Sequence, residues 1–74
     1  MNKEIKAAFD KLPEFVRNDF DREFKKHSTY QRIQEAISVS NNSRQYVLAL
    51  QLNQKLDKIK EEAIRNLLES ENAE

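Results

Sequence analysis

Not one of the 74 residues is glycine, and only one, Pro13, is proline. Tight hairpins and βαβ turns depend on residues that reach positive φ without a Cβ clash, and glycine is the residue that does so. A chain without it is poorly equipped to build a sheet. Glu, Lys, Gln, Arg, Leu and Ala are common instead, and all of them favour helix. The expected fold is all-α: a small bundle of three short helices plus one long C-terminal helix over about residues 43–70. Residues 1–70 are expected to form a single helical domain, with 71–74 as a frayed tail.

The short helices are punctuated by the few breakers present. Ile5, Ala8, Phe9 and Leu12 recur at the spacing of one helix face and predict a first helix over residues 3–12. Pro13 ends it and is suited to the first turn of a second helix running to about His27. Along that helix Val16, Phe20 and Phe24 form one stripe, while Phe15 points elsewhere. Ser28, with Gln31 three residues later, has the pattern of a capping box for a third helix, with Tyr30, Ile33 and Ile37 on its inner face. The stretch SVSNNS, residues 38–43, reads as a loop, because Ser and Asn side chains compete with the helix backbone for hydrogen bonds. Asn suits the left-handed residue that ends a helix, and Asn42 or Ser43 is expected to cap the fourth.

Residues 44–70, RQYVLALQLNQKLDKIKEEAIRNLLES, form the longest uninterrupted pattern. On a helical wheel Leu48, Ala49, Leu52, Leu56, Ile59, Ala63 and Leu67 make one continuous stripe, the side expected to face the core. A second apolar face exists only at the ends, as Tyr46, Val47 and Leu50 at one and Ile64 and Leu68 at the other. Asn53, Asp57, Lys60 and Glu61 form a charged waist between them. At 1.5 Å per residue this helix is about 40 Å long, roughly twice each of the others. Three short helices can cover one end on two sides but not easily both. One end is therefore expected to contact the chain's own helices and the other a second chain, with an antiparallel homodimer as one arrangement; the alternative is a monomer in which the first helix folds back over the second patch.

Composition narrows the functions. Thirteen basic and thirteen acidic residues give a net charge of zero, which does not favour a polyanion partner. The balance is uneven: residues 22–60 carry eight basic and three acidic side chains, residues 61–74 one and five. Cysteine is absent, which removes disulfides and thiolate metal sites together. The one histidine, His27, shares a helical row with Asp19 and Glu23, a spacing that could offer ligands to an ion. That row lies among Arg22, Lys25 and Lys26, whose charges compete for the carboxylates, so a salt-bridged surface is the plainer reading. Without glycine there is no phosphate-cradling loop and no nucleophile elbow. No catalytic, cofactor-binding or metal-binding residue is assigned, no cofactor or small-molecule substrate is expected, and the chain is expected not to be an enzyme. No apolar run approaches a membrane span and no signal-type apolar core follows Met1, so no membrane partner and a cytoplasmic location are expected.

Two functions fit what remains. The first is a protein–protein interaction module, acting by self-association, as an adaptor or as an inhibitor of a larger host protein. Tyr46, Leu50, Ile64 and Leu68 are its expected contacts, with Phe15 as a further member. The alternative is a helix-turn-helix DNA binder with residues 28–40 as the reading helix. There Thr29, Gln31 and Arg32, with Gln34 beside them, would meet base edges, and Lys25, Lys26 and Arg44 phosphates.

Overall fold

The computed structural model describes residues 2–71, and among them it contains four helices and no strand: α1 (Lys3–Asp10), α2 (Glu14–Lys26), α3 (Ser28–Asn42) and α4 (Tyr46–Glu71). The all-α class and the three-short-plus-one-long plan are as expected. Of the expected frayed tail, Glu71 is still helical and residues 72–74 lie outside the described residues.

Each boundary has a local cause. The Asn2 side chain caps α1 by accepting from the N–H groups of Glu4 (2.8 Å) and Ile5 (3.4 Å). Pro13 stands just outside α2, not in its first turn. Its carbonyl accepts from Val16 and Arg17, opening the helix. Ser28 does not cap α3. His27 does, with its backbone extended and Nδ1 accepting from the Thr29 N–H at 3.3 Å.

The expected loop at 38–43 is helix as far as Asn42. Ser40 does not compete with the helix: its Oγ donates to the Ala36 carbonyl one turn back, at 2.8 Å. The chain reverses over Ser43, Arg44 and Gln45. The Arg44 N–H donates to Asn41 and the Gln45 N–H to Ser40, the paired bonds of a Schellman ending. The left-handed residue there is Arg44 (φ 60°), a position usually given to glycine and here not taken by either Asn. Neither Asn42 nor Ser43 caps α4. It begins at Tyr46, and the Gln45 carbonyl accepts its first bond, from Ala49.

Helices α3 and α4 form a hairpin around a core of Ile33, Ile37 and Leu56, with Leu52 and Ile59 packed against it. Ser40 and Ala49, one on each side of the turn, are small and buried. An aromatic ladder ties the shorter helices to this hairpin. Phe9 meets Phe20 edge-on with ring centroids 5.4 Å apart, Phe20 stacks on Phe24 at 5.7 Å, and Phe24 meets Tyr30 edge-on at 5.4 Å. Phe9 belongs to α1, Phe20 and Phe24 to α2, and Tyr30 to α3, so three helices share one file of rings. Such pairs add roughly 0.5–1.5 kcal/mol each beyond the area they bury. Helix α1 lies along α4, its cap Asn2 sharing a cleft with Gln54, Asp57, Lys58 and Glu61 of the waist. Lys60 reaches Asp21 of α2 at 4.0 Å.

The result is a rod, 47 × 23 × 18 Å, with a radius of gyration of 14.0 Å. A compact chain of 74 residues would have about 11 Å. The difference comes from α4, whose 26 residues span about 39 Å. Helix α3 flanks its first half. Helices α1 and α2 gather around its second half.

Candidate protein-binding face

That division of labour decides which apolar end of α4 is covered. Ile64 is the most buried large side chain, at 1% exposure, and Leu68 is half-buried. Ile64 was expected at an intermolecular contact; the chain's own fold-back covers it instead, and it leaves the set of candidate contacts. The N-terminal end of α4 is open. Tyr46 is 63% exposed, Val47 72% and Leu50 58%. Leu48, expected on the core stripe, is also exposed and shares with Val39 of α3 a shallow groove whose lining includes Ala36, Ser40 and Leu52 and, from α3, the charged Arg32 and Glu35.

Six of the seven residues from Tyr46 to Leu52 are apolar, Gln51 being the exception. Successive positions rotate by about 100°, so these side chains surround the helix and do not form a stripe. A helix that is apolar all round is a buried helix. Here only the flank bearing Ala49 and Leu52 is covered, by α3, and the rest of the circumference faces outward.

Charge is sparse along the chain segment that builds this end. Residues 36–54 contain one charged side chain, Arg44, in a chain that is 35% charged. The exposed polar residues of that segment include Ser38, Asn41, Asn42, Gln45 and Gln51, none of them charged. Depletion of charge with retention of aromatic and aliphatic surface is the compositional signature of an interface centre. Val39 was missed in the sequence because it lay within an apparent loop. The charge-free run was the signal that could have found it.

The other expected contacts are not brought together. Phe15 is 70% exposed as expected, but it lies beside Leu67 and Glu71 at the far end of α4, about 30 Å from Tyr46. The residues weighed for DNA are also dispersed. Lys25 and Lys26 sit at one end of α3 and Arg44 at the other, separated by about 22 Å of helix. Lys26 pairs with Glu23 at 3.8 Å, Thr29 is half-buried, and Gln31 and Arg32 are exposed. Helices α2 and α3 join through His27 alone, whereas a helix-turn-helix uses a turn of three or four residues. Asp19 and Glu23 are paired with Arg22 and Lys26, and among the described residues no three His, Asp or Glu side chains converge as ligands.

A second apolar recess, of about 320 Å³, lies between α2, α3 and α4, lined chiefly by Phe20, Phe24, Tyr30, Ile59 and Ala63. Ligand sites combine such walls with a few polar groups aimed inward. Of the polar groups here, Glu23 pairs with Lys26 and His27 Nδ1 accepts from the start of α3. No helix among the described residues is long and apolar enough to cross a membrane. No family model matches the chain, and no curated protein or solved structure compared with it matches either.

Proposed function

We propose that this chain is a non-enzymatic protein-interaction module, working in the cytoplasm, whose contact surface is the end formed by the last turn of α3 and the first two turns of α4. One observation carries the reading. The run from Tyr46 to Leu52 is apolar around its circumference except at Gln51, yet its own chain covers only one flank. Burying a Val or Leu side chain completely is worth about 1.5–3 kcal/mol, so the exposed Val39, Val47 and Leu50 retain a large unused driving force. Tyr46 adds a large ring with a polar tip, a combination enriched at interaction hot spots. Adaptor, inhibitor and assembly-component roles all use such a face in the same way: an apolar helix surface is buried and the polar rim fixes register.

The test is capture from the native host with the wild type, with Val47→Glu and with Glu62→Gln, an exposed position near the opposite end of α4. A partner retained by the wild type and Glu62→Gln but lost by Val47→Glu supports the reading. A partner retained equally by all three refutes it, provided that circular dichroism shows the variants equally helical.

A further inference from the structure

We infer that the occupant of this face is a second copy of the same chain, docked across a two-fold axis. The inference rests on the reading of the α3–α4 end as a binding face and identifies the partner.

The first reason is charge. In a two-fold contact each surface meets itself, and a charged residue near the axis stands close to its own twin. A face built for an unlike partner gains from complementary charge, which steers the encounter and rejects competitors. This face offers little net charge: Arg44 is the single charge across residues 36–54, and the groove adds only Arg32 and Glu35, one of each sign. What surrounds it instead is amide. Asn and Gln carry both donors and an acceptor, so an amide can pair with an identical amide, as a carboxylate or an ammonium cannot. Asn41, Asn42, Gln45 and Gln51 therefore offer a rim that can be complementary to itself.

The second reason is area. A folded monomer of 8.8 kDa is expected to expose about 4,800 Å². This chain exposes 5853 Å². The excess is about 1,000 Å² per copy, and one side of a stable interface typically buries about 800 Å². The surface left over is thus what one half of a dimer contact removes.

The experiment is sedimentation equilibrium over micromolar to millimolar concentrations, on the wild type and on Val47→Glu and Leu50→Glu. Both positions are more than half exposed, so the folded monomer tolerates them, and circular dichroism checks that it does. The wild type is expected at twice 8.8 kDa. Each variant places two carboxylates near the axis and is expected to weaken association by more than about a hundredfold. A wild type that stays at 8.8 kDa at every concentration overturns the inference. The broader reading survives that result if host capture still depends on Val47. A dimer that is equally tight in both variants also overturns the inference, because the copies then meet elsewhere. If host capture is likewise indifferent to Val47→Glu, the broader reading fails with it.

Discussion

Ile64 offers the sharpest test of how the fold distributes its apolar surface. It and Leu50 are both aliphatic residues of α4, and a helical wheel places both outside the core stripe. In the fold they differ completely, at 1% and 58% exposure. Ile64→Ala removes three carbons. At about 0.8 kcal/mol for each buried methylene the transfer loss is about 2.4 kcal/mol. The residual cavity adds to that, but neighbours such as Leu67 and Leu68 are only half-buried and can collapse inward, which holds the total to about 3 kcal/mol. A chain of this length has a total stability of about 4–11 kcal/mol, so the substitution removes a large share. Urea unfolding followed by far-UV circular dichroism reads it. With a slope of about 1 kcal/mol per molar urea, the midpoint falls by about 3 M. Where that leaves too short a folded baseline, Ile64→Val gives a measurable fall of about 1 M. Leu50→Ala, at a protein concentration where the chain is monomeric, stays within about 0.5 kcal/mol of the wild type. Equal losses at the two positions would refute the assignment of one end to the fold and the other to a partner.

Other positions make narrower predictions. Arg44→Gly removes the steric cost of a left-handed residue, and after allowance for glycine's freer unfolded state it should raise stability by about 0.5–1 kcal/mol. A lowered urea midpoint would show that the turn is not held at positive φ. Asn2→Ala deletes the α1 cap at a cost of about 1 kcal/mol, with faster amide exchange in α1 while α3 keeps its protection. Uniform acceleration across all helices would contradict a local effect. In a gel shift at low salt the chain should leave pooled duplex DNA unshifted, because its basic residues are scattered and partly paired; a shift that weakens steeply with salt would revive the DNA reading.

The sequence made most of the architecture legible, for reasons that can be traced to particular residues. The absence of glycine excluded sheets, Pro13 separated α1 from α2, and the spacing of Phe20 and Phe24 gave the inner face of α2. Local turn chemistry misled at residues 38–43. There Ser and Asn signal a loop, but tertiary register prevails: Ile37 and Ser40 are buried on the inner face of α3, and the helix must continue to present them to α4. Wheel geometry also could not say which apolar end α1 would cover. It identifies a second face at Ile64 as readily as at Leu50, and only the path of the chain through Pro13 back along α4 distinguishes them. The length comparison did anticipate that one end would stay open. The missed member, Val39, needed the absence of charge to be read as a signal in its own right.

The aromatic file that joins the first three helices has a practical consequence for spectroscopy. The chain has no tryptophan and two tyrosines. Tyr30 ends the file of rings, half-buried, with its hydroxyl accepting from Gln34 Nε2 at 3.1 Å. Tyr46 stands on the open end of α4. Each phenol thus reports a different event, one the melting of the bundle and the other the covering of the exposed face. Tyr30→Phe keeps the ring contact with Phe24 and leaves Tyr46 as the only tyrosine, which can be excited selectively. Its fluorescence then provides a label-free readout for the proposed association.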